Sequence, residues 1–263
     1  MATALSIVTV VKDDPSGLQQ TLDSLARCDP TDLDHIEWIV IDSSLDASAV
    51  CDLVANSPLP AAAHWVAPEG VYEAMNAGLS HATGEYVYFL NAGDHLRNAE
   101  ALTSILKPLE RSQPTWLYGQ VAFANPNGSK VVPPRFDYES ERKSSFSRGR
   151  FPPHQGTIVR RDSLLSIGGF DTSYRVTADY TAMLRLSLLN DPLEITDVIA
   201  EFTTGGLSES RWLLAINEFH RARLEVLRPR GWDMAAEFVN TANQALRMTL
   251  TRVLKGRSGR RLP

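Results

Sequence analysis

No apolar stretch in this chain of 263 residues approaches the roughly 20 that a membrane-spanning helix needs. The amino terminus, MATALSIVTVVKDD, has acids directly behind its apolar run and no basic region ahead of it, so it does not read as a secretory signal. Cysteine is scarce. Cys28 and Cys51 have neither a paired framework nor ligand spacing, which argues against a disulfide scaffold and for a reducing cytoplasm with both thiols free. GxGxxG does not follow the first strand-like run and GxxxxGKS/T occurs nowhere, so the glycine cradles of dinucleotide redox and P-loop phosphoryl chemistry are missing. HExxH, CxxC and GxSxG are absent too. A net charge of −5 gives no overall bias toward nucleic acid or anionic lipid. With 43% hydrophobic and 22% charged residues, the composition suits a soluble globular chain and excludes collagen and disorder.

What is present is an alternation of strand and helix patterns. SIVTVVK (5–11) is β-branched and bounded by Asp13, Asp14 and Pro15, and in 17–28 Leu18, Leu22 and Leu25 fall on one helical stripe. IEWIVIDSS (36–44) reads as a second strand ending in a carboxylate, AAAHWV (61–66) as a third and EYVYFLNAGD (85–94) as a fourth. VYEAMNAGLSHA (71–82) is helical. Such alternation implies right-handed parallel crossovers and a doubly wound sheet, with ligands outside the carboxyl ends of the strands. Three polar clusters meet at that edge: Lys12 and Asp13, Asp42, and Asn91 to Asp94.

Beyond about residue 115, WLYGQVAFA and KVVPP read as antiparallel strands. The polar loop DYESERKSSFSRGRFPPHQG has the length of a functional lid. GTIVRRDSLLSIGGF reads as a strand and a turn, 177–190 as a helix, 194–204 as a strand, and the remainder from Ser208 as helical with a break at Pro229. Carboxylates at strand ends beside turns suit a divalent metal held on a diphosphate.

The ordered strings SIVTVVKDDPSGLQQTLDSL, EWIVIDSS, GVYEAMNAGLSHATGEYVYFLNAGD, PHQGTIVRR, GGFDTSYRVTADY and GGLS resemble the family 2 inverting glycosyltransferases, over roughly residues 5 to 208. Within that family the likeness is to small bacterial enzymes of surface polysaccharide and glycolipid synthesis. The resemblance implies a GT-A fold, an α/β class with a Rossmann-like nucleotide-binding α/β/α sandwich around a mostly parallel sheet. It implies a sugar-donor half to about residue 115, an acceptor half over 116–207, and C-terminal helices with a basic tail over 208–263.

The same resemblance assigns roles. Thr9 and Val11 line the base pocket and Asp42 bonds base or ribose, an Asx turn being its ordinary alternative. Asn76 and Gly78 pass beside the ribose and diphosphate, where a missing side chain permits close approach; helix packing is the competing reading, and for Met75 the preferred one. NAGD occupies the place of the metal-binding Asp-x-Asp, with Asn91 and Gly93 in place of carboxylates and Asp94 as ligand to Mg²⁺ or Mn²⁺. Asp179 aligns with the catalytic base, where a first-turn acid would also favour the helix dipole. His154 and Gln155 form an acceptor-side wall. Arg148 and Arg150 close over phosphates or simply make a solvated basic loop, and GGLS (205–208) is a closing turn.

The implied partners are a UDP-, GDP- or dTDP-sugar and a glycan or lipid-linked acceptor, with no nucleic acid. Two other readings stay open: a sugar-nucleotide-forming nucleotidyltransferase, which would want a Gly-rich basic loop where KDDPSGL stands, and a catalytically silent binding scaffold. After Glu237 there are no acids, while Arg247, Arg252, Lys255, Arg257, Arg260 and Arg261 follow. Phe238, Ala242, Leu246, Leu250 and Val253 recur at near-helical spacing. That segment reads either as a peripheral membrane contact at the inner face or as a helix packed on the core with a frayed basic end.

Overall fold

A computed structural model of the chain describes residues 4–124, 130–138, 151–203 and 211–258. Strand β1 (Leu5–Val11) is buried along its whole length. Its alternating side chains feed two cores, Leu5, Ile7 and Val11 entering one and Val8 and Val10 the other. β2 (Ile36–Asp42) divides in the same way, Trp38 and Val40 against Ile39 and Ile41, as does β4 (Tyr86–Phe89), Tyr86 and Tyr88 against Val87 and Phe89. Burial on both faces is why these runs read as continuously apolar rather than alternating.

Helices complete the two outer layers. On one side α1 (Pro15–Leu25), α3 (Ser48–Ala55) and α5 (Ala101–Ser112) deliver Leu18, Leu22, Leu25, Val50, Leu102 and Ile105 to the first core. On the other, α4 (Val71–His81) and α7 (Ala178–Leu189) deliver Tyr72, Met75, Leu79, Tyr180 and Met183 to the second. Asp14 caps α1 by accepting from Gly17 N at 2.8 Å, and Pro15 supplies a preset first turn. A Cβ on Gly78 would stand 2.3 Å from Val8 Cγ1, so glycine is what lets α4 press onto β1.

The sheet runs β3-β2-β1-β4-β8-β6-β9-β5, where β3 is Ala61–Trp65, β5 His95–Leu96, β6 Trp116–Ala124, β8 Thr157–Arg160 and β9 Leu193–Thr203. Its β3-β2-β1-β4 wing is parallel, as expected. The other wing is mixed: β8 lies antiparallel to both β4 and β6, β6 parallel to β9, and β9 antiparallel to β5. The short β7 (Lys130–Val131) pairs antiparallel with β6. Expected element limits shift at chain turns: α1 stops at Leu25 instead of Cys28, and β4 stops at Phe89, leaving 91–94 as a turn. α5 escaped the sequence reading although Leu102, Ile105, Leu106 and Leu109 are helically spaced, because Pro108 lies inside it. The short α2 (Pro30–Leu33) and α6 (Arg161–Ser166) also appear, the latter where a turn was expected.

Glu37 ties the parallel wing together. Its Oε1 accepts from Ser6 Oγ at 2.5 Å, Thr83 N at 2.7 Å, Thr83 Oγ1 at 2.9 Å and Gly84 N at 3.2 Å. Burial pushes the carboxyl up, but these hydrogen bonds outweigh it and hold Glu37 below the ordinary glutamate range. A depressed folded value stabilises the fold above the unfolded pKa and ceases to do so as pH falls through the folded one. Glu37→Ala is expected to cost about 2 kcal/mol at neutral pH. In urea titrations the gap to the wild-type chain should narrow on acidification; a gap independent of pH would contradict the assignment.

The C-terminal α8 (Trp212–Leu227) and α9 (Trp232–Ser258) are separated at Arg228 (φ +48°) and Pro229, as expected. α8 packs on α7, with Phe219 edge-on to Tyr180 at 4.8 Å. Arg223 of α8, fully buried, donates from Nε to Glu237 Oε2 at 2.6 Å and from Nη2 to Thr241 Oγ1 at 2.8 Å, both on α9. The expected division at residue 207 lies outside the described residues.

Candidate active site

The carboxyl ends of β1, β2 and β4 form one edge. Ser43 N donates to Val11 O at 2.9 Å and Ala92 N to Val10 O at 3.1 Å, so the loops after β2 and β4 are carried on the end of β1. Beyond β1 the backbone of Asp13 is left-handed (φ +52°). It is fixed there by Ser44, whose Oγ accepts from Asp13 N, and by Leu45 N, which donates to Asp13 Oδ1. Along this edge runs a cleft of about 790 Å³ whose walls include Val11, Lys12, Ser43, Tyr72, Asn91 and Arg175.

Several expected residues stand elsewhere. Thr9 is fully buried, its hydroxyl donating to Leu90 O at 2.7 Å and accepting from Trp38 Nε1 at 2.9 Å, so it is bound within the sheet and does not line the cleft. Asn76 grips Phe170 through both amide atoms, Nδ2 to the carbonyl at 2.7 Å and Oδ1 from the amide at 2.9 Å, while Gly78 packs on β1. Both serve the seating of α4 and neither lines the cleft. Gln155 contributes its backbone carbonyl, which accepts from the Tyr88 hydroxyl at 2.6 Å. Asp42, only 2% exposed, forms the Asx turn, its Oδ1 accepting from Ser44 N at 2.8 Å. Its buried Oδ2 has no partner among the described residues. Arg148, Arg150 and segment 205–208 lie outside the described residues, as does most of the loop expected to be a lid.

The Asn91–Asp94 turn, His154 and Asp179 meet. Asn91 to Asp94 make a tight turn closed by Asp94 N to Asn91 O at 2.9 Å, in which Gly93 adopts φ +88°. A left-handed backbone favours glycine, which gives a physical reason why no carboxylate stands at position 93. Burial pushes the Asp94 carboxyl up to about 7, against the pull of His154 and the Asn91 backbone. His154, in a one-turn 3-10 helix (His154–Gly156), has Nδ1 3.4 Å from Asp179 Oδ2 and Nε2 3.5 Å from Asn91 Nδ2. Burial favours its neutral ring, yet the Asp179 and Asp94 carboxylates outweigh that and hold it above the ordinary histidine range.

Asp179 stands in the first turn of α7 with its side chain 15% exposed, sheltered but reachable. Its Oδ1 lies 3.0 Å from the Tyr72 hydroxyl, which also lies 2.9 Å from Val176 O, so one phenolic proton serves two acceptors. Burial, and then the Asp179 charge, keep that phenol un-ionised by raising its pKa well above the tyrosine range.

Glu218 of α8, 6% exposed, sets the approach to α7. Its carboxylate accepts from Arg175 N at 2.8 Å, Val176 N at 2.9 Å, Thr177 N at 3.0 Å and Thr177 Oγ1 at 3.2 Å. The sequence reading missed Tyr72 and Glu218. An aromatic opening the α4 motif was a signal for Tyr72; Glu218 had none, being one acid on a mixed helix.

Among the described residues no group of three His, Cys, Asp or Glu side chains is placed to hold a metal ion. The turn nonetheless offers hard oxygens: the Asp94 carboxylate, destabilised by burial, and Asn91 Oδ1, buried and without a described partner. Both fit a cation completed by phosphate oxygens.

The profile of Glycosyl transferase family 2 matches residues 6–168. An uncharacterized glycosyltransferase of Mycobacterium tuberculosis is 29% identical over 216 residues, 80% of this chain and 79% of its own. A PGL/p-HBAD biosynthesis glycosyltransferase of Mycobacterium bovis is 29% identical over 220 residues, 80% of each chain. Among solved structures, S. aureus TarS 1-349 superposes with a TM-score of 0.66 at 17% identity, covering 92% of this chain and 71% of that one. A mannosyltransferase from Pyrobaculum calidifontis, in complex with GDP-Man and Mn²⁺, superposes at 0.65 and 17% identity, covering 97% and 80%. These two likenesses establish the GT-A fold.

Proposed function

The chain belongs to glycosyl transferase family 2, and from that premise we propose that it moves a hexosyl group from a nucleotide-sugar to an acceptor hydroxyl with inversion, in cytoplasmic glycolipid or polysaccharide synthesis. The observation that carries this reading is the meeting of Asp179, His154 and the Asn91–Asp94 turn beside a cleft at the strand ends. Relatives named for PGL/p-HBAD biosynthesis, and neighbours solved with UDP-GlcNAc and with GDP-Man, support the substrate class.

In a single displacement the acceptor hydroxyl loses its proton as it attacks, and Asp179 is the carboxylate to take it. Tyr72 fixes one Asp179 oxygen, and His154 steadies the other while adding positive charge near the leaving phosphates. Val11 and Ser43 line the cleft for the nucleoside, and Asp42, beside Ser43 and buried with an Oδ2 that has no partner among the described residues, is the proposed acceptor for a base or ribose donor. Asp94 and Asn91 would hold Mg²⁺ or Mn²⁺, which neutralises charge on a leaving diphosphate. The acceptor is a glycan or a lipid-linked hydroxyl.

Thermal unfolding of the purified chain with UDP, GDP, dTDP or CMP, each with and without Mn²⁺, tests this. One nucleotide should raise the midpoint selectively and more strongly with Mn²⁺, since binding to the folded state stabilises it. Asp94→Ala should abolish the Mn²⁺-dependent part and leave the metal-free part. Equal metal dependence in Asp94→Ala would remove it as ligand, and no shift with any nucleotide would overturn the substrate class.

A further inference from the structure

α9 is turned inside out. The side it packs against α8 is polar: Glu237 is buried on Arg223, the Thr241 hydroxyl lies 2.8 Å from both Arg223 Nη2 and His220 Nδ1, and Asn240 and Gln244 are half-buried. The opposite stripe, at spacings of seven and four residues, is Trp232 (91% exposed), Val239 (59%), Leu246 (58%) and Leu250 (52%). Phe238, 57% exposed, stands on one flank with its ring 4.9 Å from that of His220 on α8. An amphipathic helix whose partner is its own core shows the reverse arrangement.

Charge identifies what covers the stripe. From Phe238 onward the sequence has no acid and gains Arg247, Arg252, Lys255, Arg257, Arg260 and Arg261, although the whole chain carries −5. Apolar side chains led by an exposed tryptophan, on a helix whose later half bears only cations, match a surface that is apolar beneath and negative on top. We infer that α9 docks the protein on an anionic lipid membrane, lying in the headgroup plane with Trp232, Val239, Leu246 and Leu250 inserted. None of the described helices is long and apolar enough to cross a bilayer, and a helix lying in the surface need not be. The inference rests on exposure and charge and stands apart from the sugar-transfer reading, while deepening it by bringing the site to where a lipid-linked acceptor would be found.

The test is co-sedimentation of the full chain with phosphatidylcholine vesicles, with and without phosphatidylglycerol. Wild-type protein should pellet with the anionic vesicles only, and less as salt rises. Trp232→Ser/Leu246→Ser should weaken that binding by about tenfold or more, because two apolar side chains no longer leave water. Both positions are exposed, so the thermal midpoint and the nucleotide-induced shift should remain those of the wild type. A double variant that pellets as well as the wild type would overturn the inference. So would a wild-type chain that ignores anionic vesicles, or one that forms a lipid-free dimer, measured by light scattering, that the double variant loses. Failure of the nucleotide shift alone would count against the transfer reading and leave the docking surface standing.

Discussion

Asp179→Asn is expected to lower the turnover number by about 10² to 10⁴ while nucleotide binding stays near wild type. Asparagine keeps the size and one carbonyl oxygen, so the Tyr72 contact at 3.0 Å can persist and the first turn of α7 need not move. What disappears is the basic lone pair proposed to take the acceptor proton. The substitution also removes one of the two carboxylates that hold His154 above its ordinary range. The ring should then titrate at lower pH, a change that NMR of the imidazole resonances reports independently of activity. His154 stabilises the fold while protonated, so in the wild type this contribution is complete below the unfolded pKa and is lost as pH rises through the raised folded one. In Asp179→Asn that loss should come earlier on the pH axis. Undiminished transfer by the purified variant would remove Asp179 as the base, and an unmoved His154 titration would contradict the geometry.

The second large effect is expected far from the cleft in sequence. Glu218→Ala leaves the backbone amides of Arg175, Val176 and Thr177 without their acceptor. At about 1–3 kcal/mol for each buried unsatisfied donor, and with water repairing part of the damage, a loss of about 3 kcal/mol is expected in denaturant unfolding. Val176 also presents the carbonyl that shares the Tyr72 proton with Asp179, so loosening this loop disturbs the proposed base as well as the fold. Turnover should fall more than the apparent affinity for the sugar donor. Glu218→Gln, which retains one oxygen acceptor, should be intermediate in both measurements. A Glu218→Ala chain with wild-type stability and turnover would show that the loop is held by other means.

Much of the fold was legible because its strongest signals are local. Buried strands such as 5–11 and 36–42 are short and β-rich, and the turns after them carry the polar residues. The mixed wing was harder, since the parallel pairing of β6 with β9 joins segments far apart in the chain and nothing in either run specifies its neighbour. The site divides along the same line. Asp94, Asp179 and His154 sit in motifs with recognisable order, and the structure brings them together. Thr9 and Asn76 were misplaced because a motif position does not reveal which way a side chain points, and both point into internal hydrogen bonds. Tyr72 acts through Asp179, 107 residues away, and Glu218 through the Arg175–Thr177 loop, 41 to 43 residues away, and only a folded chain shows such pairs.

The Arg223–Glu237 pair bears on how the molecule comes apart. Arg223 is wholly enclosed, so peeling α9 away would strand a guanidinium, and losing one member of a buried pair costs about 3–5 kcal/mol. Glu218, on the same helix as Arg223, joins that contact to the amides ahead of Asp179. Local opening of the C-terminal end is therefore expected to coincide with loss of the Asp179–Tyr72–His154 geometry, as one cooperative unit in hydrogen exchange. A ligand that binds α9 only when it is folded would then protect the amides of the Asp179 loop along with those of the helix it touches.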